Sequence, residues 1–345
     1  MRTADPITRF VRASLSDAAP NGVPGLRDLV GRGLAHSLQG PRPGTTTDDT
    51  IHDPGDPGLC GPGSASWTVL DDIAGLVGGV RALLLQTLHP LAMAGVTDHS
   101  SYESDPFGRL HRTGAWVATT SFGSLNEALA VTRLVRGQHR KVTGTAPDGR
   151  PYAAGDARLL AWVSITFTDS LLRANQMYGA HPVDPATADR YVLEQSRIAA
   201  LLDPRVDLQP FRSDEGARTA LRRWDVPLPL LDEGALPHDV ESLRGCLEDH
   251  SRDLARSAQA DEALRFLAAP GLPTLTMPAY RAIHLGAMAT LPEELRVMLG
   301  HPRLRGITAT LARRQTGAMM TAMRLGTGHA PAREVAERRV LAIAS

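Results

Sequence analysis

Two cysteines in 345 residues, Cys60 and Cys246, are too few for a disulfide framework, a C-x-x-C pair or a thiolate zinc cluster. That scarcity fits a reducing compartment. Basic and acidic residues number 37 each, so neither sign is in surplus. Phosphate backbones are bound through a basic excess, which argues against a general nucleic-acid binder. Aromatics make up only 4% of the chain, so any apolar pocket must be walled mainly by Leu, Val, Ala and Met. No apolar run reaches the roughly 20 residues of a bilayer span. The nearest, IAGLVGGVRALLLQTL at 73–88, contains Arg81 and is soon followed by Pro90, so it reads as a buried helix with no membrane span. The opening MRTADPITRFVRASLSDAAP lacks the apolar centre of a secretory signal, and a cytoplasmic protein is expected. Also missing are G-x-G-x-x-G behind a strand, the P-loop, H-E-x-x-H, G-x-S-x-G and C-x-x-C-H. Nucleotide-dependent, zincin and α/β-hydrolase chemistry lose their usual signatures, as does covalent haem attachment.

What is present is helical periodicity. Residues 1–57 read as an N-terminal arm with two short helical pieces, Ile7 to Leu15 and Gly25 to Leu38, ending in a Gly/Pro/Asp/Thr-rich connection at 40–66. Residues 58–345 read as one large helical domain. Ile73, Leu76, Val77, Val80, Leu84 and Leu88 recur at i, i+3, i+4, i+7 spacing, with Asp71 or Asp72 placed to cap the start. Pro90 and Gly95 are expected to break or kink that helix. Ser124-Leu-Asn-Glu127 has the form of a capping box, and Val131, Val135, Gln138 and Val142 follow it on one stripe, with Gly144 as the stop. A third helix begins near Asp156 and is apolar on two faces: Leu160, Val163, Phe167 and Leu171 on one, Trp162, Ile165 and Leu172 on the other with Asp169 among them. Helical pattern continues over Asp189 to Leu202, Asp239 to Ser257, Ala260 to Leu267, Ala279 to Leu291 and Leu304 to Leu325, with no series of alternating strands. The class is all-α.

The chemistry-bearing stretch is LHPLAMAGVTDHSSYESDPFGRLHRT at 88–113. It sets three histidines, acids and hydroxyls against an apolar lead-in. Together with His139, the histidines His89, His99 and His111 contain no i, i+4 pair, so no one helix presents a two-histidine metal site. His89 at a helix end reads as a cation favouring the dipole. His99 follows Asp98, as a supporting pair or a turn. His111 between Leu110 and Arg112 reads as solvated. His139 admits two readings: a helix-end cation, or an inward-facing ligand bordering the Val135/Val142 stripe. Arg109 and Thr113 lie one helical turn apart and share a face, offering a cation and a hydroxyl to an anion or an oxygen-derived group. The bland alternative is an Arg paired with Asp105 and a Thr bonded back to its own helix. Asp169, in an apolar helix, needs an Arg or His partner if buried.

GGVRALLLQTLHPLAMAGVTDHS, DPFGRLHRT, VRGQHRKVTG and LLAWVSITFTDSLL, in that order, resemble the oxygenase MpaB / latex-clearing-protein family, once a domain of unknown function. The resemblance runs from about Gly58 to Leu202, and more weakly to about Gly300. It implies a globin-like helical core holding one non-covalent haem b, with His139 as the iron's proximal ligand and Arg109 and Thr113 beside the haem in catalytic roles. Rubber-cleaving members carry a Lys just before that Thr. Here Arg112 stands there, and an always-protonated guanidinium is a poor iron ligand. Many relatives read W-V-H where this chain has Trp162-Val163-Ser164, which puts the Ser164 hydroxyl at the pocket. No glutamate occurs in 88–102, and Glu103 is the first. Polyisoprene cleavage is therefore not expected. The resemblance implies instead a haem-dependent oxygenase or oxidase for a small or medium apolar substrate, as in natural-product tailoring, using O₂ or a peroxide. The rival reading is a haem-binding or gas-sensing protein without turnover. A homo-oligomer is left open.

Overall fold

The computed structural model describes residues 53–99, 106–272, 274, 276–327 and 330–342. The expected N-terminal arm lies outside these residues up to position 52, as do Ser100 to Asp105.

Fifteen helices are found among the described residues. The first seven are α1 Ala65–Leu70, α2 Gly75–Gln86, α3 Pro90–His99, α4 Pro106–Phe122, α5 Leu125–His139, α6 Ala157–Tyr178 and α7 Pro185–Ala200. A hairpin, β1 Thr143–Thr145 with β2 Pro151–Ala153, separates α5 from α6. After a 3₁₀ turn at Pro210–Arg212 come α8 Glu215–Arg222, α9 Pro229–Asp232, α10 Val240–Ser251 and α11 Ala258–Ala268. The chain then forms α12 Met277–Ala289, α13 Glu293–Met298, α14 Gly306–Thr327 and α15 Pro331–Leu341. The all-α expectation stands.

Helix α6 runs through the middle, and α2 lies along it. One apolar face is fully covered, with Trp162, Ile165 and Leu172 at most 2% exposed, while on the other Leu160 and Leu171 are buried and Val163 is 38% exposed. Its start is fixed as its sequence suggests, with Asp156 accepting the Arg158 and Leu159 backbone N–H groups. The α2–α6 crossing is close. A methyl group on Gly78 would stand 2.9 Å from the Leu171 Cα and 3.0 Å from the Ser170 carbonyl oxygen. Gly78→Ala is expected to destabilise the fold by about 1–3 kcal/mol, the usual cost of overpacking. Urea denaturation reads this directly, and an unchanged midpoint would mean that the two helices part freely.

Three local expectations need correction. Helix α2 begins at Gly75 rather than at Asp71, because residues 71–74 form a turn in which Asp72 accepts the Ala74 N–H at 2.7 Å. Both aspartates are engaged from the far end of the chain, Asp71 by Arg333 and Asp72 by Arg324, each at 2.7 Å. Pro90 does end the first helix run: it opens α3, which is bent 101° from α2. Gly95, by contrast, lies inside α3, where a side chain would crowd Val142 and Tyr152 of the hairpin region at 3.4–3.5 Å. Gly144 is not a helix stop either. Helix α5 ends at His139, and Gly144 pairs with Tyr152 in the hairpin, where a Cβ would meet the tyrosine hydroxyl. The Ser124/Glu127 capping box is present in full. No single helix among the described residues is long and apolar enough to cross a membrane; only the bent α2–α3 pair, taken together, has the length and apolarity of a span.

Candidate functional site

A cavity of about 660 Å³ lies between α2, α3, α4, α5, α6 and α11. Helical spacing brings each wall to it. Val135, Gln138 and His139 face it from α5, and Leu160, Val163, Ser164, Phe167 and Leu171 from α6. Thr113, Trp116 and Val117 contribute from α4, and Ala263, Phe266 and Leu267 from α11. None of the described lining residues is Asp, Glu, Lys or Arg. Leu134 and Val163 are each 38% exposed, yet both line this space. Their exposure supplies the apolar surface that a bound organic group would cover.

His139 closes α5 and stands on this wall. A helix C-terminus favours a cation, but burial wins here and pushes the ring's pKa below its ordinary value. The imidazole is neutral, with Nδ1 buried and unpartnered. His139 thus lies on the cavity wall rather than in solvent.

Of the remaining sequence candidates, Thr113 and Ser164 line the same cavity. Arg109, His111 and Arg112 lie within α4, but their side chains fall outside the described residues. His99 is also on the cavity wall, its Nε2 3.0 Å from the Thr143 carbonyl oxygen. Asp98 is not its partner: that carboxylate accepts the Tyr152 hydroxyl at 2.6 Å. Asp169 finds the expected arginine in Arg81, at 2.6 Å.

His89 corrects its reading as a helix-end cation. It is 2% exposed, and burial lowers its pKa to about 4. Its Nδ1 accepts the Ala92 N–H at 3.4 Å, and its ring lies 5.7 Å from Trp162. It lines a smaller neighbouring cavity rather than the large one. A histidine held neutral by the fold binds fewer protons than its unfolded form between pH 6.5 and about 4. Its contribution is complete above pH 6.5 and is lost as pH falls toward 4. Thermal melting should show that loss, and His89→Asn should flatten it over this window. A variant whose slope matches the parent would assign the acid sensitivity to other groups.

Sequence reasoning missed Trp116, whose indole N–H is buried without a partner on this wall. Its position three residues after Thr113 was the available signal. It also missed the α11 wall and Tyr280 of α12, which only the tertiary fold brings near. Among the described residues, no three or more His, Cys, Asp or Glu side chains gather to hold a metal ion by themselves.

Comparison with known proteins places this arrangement. Two curated mycobacterial proteins, named uncharacterized protein Mb2261 (Mycobacterium bovis) and uncharacterized protein Rv2237 (Mycobacterium tuberculosis), are each 27% identical to it over 106 residues. The match covers 30% of this chain and 41% of the length of each relative. No solved structure matches the chain. The catalytic domain described as ER-bound oxygenase mpaB/B'/Rubber oxygenase matches residues 67–325, which takes in every wall of the cavity. The chain belongs to that oxygenase family.

Proposed function

We propose that this protein is a haem-dependent oxygenase or oxidase acting on a neutral, apolar organic substrate of small or medium size, with His139 as the protein's iron ligand. The observation that carries the reading is a neutral histidine on the wall of a large, uncharged cavity. A lone imidazole supplies one donor, and a tetrapyrrole supplies the rest of an iron's coordination, which suits a site without a second protein ligand set.

The residues fit haem b in two respects. The apolar walls suit the macrocycle, and Nδ1 of His139 is not competing for a neighbour. The described lining offers no cation for two propionates. The family resemblance gives that role to Arg109 and Arg112, which precede Thr113 in α4. Bound haem would supply the one-electron and oxygen chemistry that side chains lack. The chain's own part is to bind and to exclude. Phe167 and Leu171 would keep water from the substrate, and a bound substrate would cover the exposed Val163. The Thr113 and Ser164 hydroxyls can orient a polar group or hold a proton there, and Gln138 offers an amide.

The uncharged lining also disfavours a carboxylate or phosphate inside the cavity, since a buried unpaired charge is costly. Small and medium unsaturated or aromatic compounds, as in natural-product tailoring, meet that requirement. The visible spectrum of the purified chain, before and after adding hemin, tests the cofactor. A protein that stays without a Soret band in excess hemin refutes the reading. Steady oxidant consumption with a neutral substrate then separates turnover from carriage or sensing. Thr113→Ala and Arg109→Ala should keep haem and lose most turnover; normal turnover in both would reduce these residues to structural roles.

A further inference from the structure

We propose that Ser164 and Thr168 of α6 form a two-pronged donor for a carbonyl oxygen, so that the apolar cavity selects neutral, ketone-bearing ligands over hydrocarbons of the same shape. This rests on the reading of the large cavity as the substrate site and deepens it, by naming the polar group that a substrate carries.

Positions 164 and 168 are four apart in α6, so their side chains stand one above the other on one face, about 5–6 Å apart at Cβ. Both line the large cavity. A serine or threonine inside a helix can turn its hydroxyl back to a carbonyl of the preceding turn. Thr166, between them, does so, donating to the Val163 carbonyl at 2.9 Å. Thr87, on the cavity wall just past α2, does the same toward the Leu84 carbonyl at 2.7 Å. Ser164 and Thr168 do not: neither hydroxyl has a partner among the described residues. Much of the remaining polar lining is already engaged. The Tyr152 hydroxyl donates to Asp98 and the Tyr280 hydroxyl to the Leu267 carbonyl, each at 2.6 Å. The Gln86 and Gln195 amides donate to the Thr166 and Ser66 hydroxyls at 3.1 and 2.8 Å.

Enclosure separates this pair from other unpartnered hydroxyls. Those of Thr119 and Ser121 in α4 are sealed inside the protein, away from the cavity lining. Thr168 is only 3% exposed, yet its hydroxyl is not among the sealed ones, and the space it adjoins is the cavity. A water between the two hydroxyls would find just these two partners on a face otherwise made of Leu160, Phe167 and Leu171, so a ligand oxygen displaces it readily. A carbonyl oxygen has two lone pairs. Two donors at this spacing can each reach it at an ordinary length of about 2.8 Å. The uncharged lining keeps the rest of the ligand neutral.

Two matched probes test this by calorimetry on the full chain, with and without added hemin: 2-acetylnaphthalene and 2-isopropenylnaphthalene, which share a shape and differ by C=O against C=CH₂. The double variant Ser164→Ala with Thr168→Val should bind the ketone about 10-fold more weakly or worse, the loss of two neutral hydrogen bonds, and the alkene within about twofold of the parent. Thr168→Ser keeps the hydroxyl and should hold the ketone within about threefold of the parent. Replacing unpartnered hydroxyls by apolar groups should leave the ligand-free double variant melting at or above the parent's temperature, which separates lost binding from lost folding. A lower melting temperature would mean that the hydroxyls bond within the protein, and it overturns the proposal. Ketone affinity that survives the double variant, an equal fall for both probes, or a parent that holds no ketone also overturns it. A chain that takes up hemin but shows no ketone selectivity removes this inference alone, whereas one that keeps the selectivity and takes up no hemin removes the haem reading alone.

Discussion

His139→Ala is expected to abolish the Soret band of the hemin-loaded chain, while His181→Ala, at an exposed histidine between α6 and α7 away from the cavity wall, leaves it intact. Loss of an outer-shell partner alone costs metal sites about 10–100-fold in affinity, so loss of the proposed ligand should cost at least about 100-fold. The fold should survive the change. The ring makes no hydrogen bond at its buried Nδ1, and removing a neutral, partly buried side chain at a helix end leaves the capping box of α5 in place. Far-ultraviolet circular dichroism of the haem-free variant should therefore overlay the parent. The instructive competitor is His99, the other histidine on the cavity wall. Its Nε2 is occupied by the Thr143 carbonyl, so His99→Ala should disturb the hairpin more than the cofactor. A Soret band that survives His139→Ala and disappears in His99→Ala would exchange their roles.

Particular residues show what the sequence made legible. The capping box at Ser124 and the cap at Asp156 were readable because they are local: hydroxyl or carboxylate, spacing and the following apolar run lie within one turn. Asp71 and Asp72 carry the same local signal and start no helix there. Their partners, Arg333 and Arg324, are some 250 positions away in the chain. The hairpin was missed because its strands are three residues each, too short for alternation to register. At the site, the stripe on α5 and the face on α6 were each visible as helical spacing. That Thr113, His139 and Ser164 meet at one cavity is a property of how α4, α5 and α6 pack. His89 marks the limit most clearly. A helix-end histidine is favoured as a cation by the dipole, yet Leu91, Trp162 and their neighbours exclude water and hold it neutral. Burial is set by the fold, and it outweighs the local preference.

That packing rests on one buried ion pair. Arg81 of α2 and Asp169 of α6 meet at 2.6 Å, with side chains only 4% and 6% exposed. The same guanidinium nitrogen donates to the Ser170 hydroxyl at 2.8 Å. Arg173 is a poor substitute partner for Asp169, being 43% exposed and 3.4 Å away. Arg81→Met should therefore destabilise the chain by about 3–5 kcal/mol, because it strands a carboxylate in an apolar interior. The double variant Arg81→Met with Asp169→Leu should recover most of that loss, since neither charge then remains to be desolvated. Denaturation midpoints of the two singles and the double read the coupling. The pair also joins the two helices that supply Val80, Leu83, Leu160, Val163 and Phe167 to the cavity. If its role is to set the separation of these walls, the double variant will be stable and yet bind hemin more weakly than the parent. If hemin affinity returns together with stability, apolar packing alone holds the walls, and the charges add nothing to the cavity's shape.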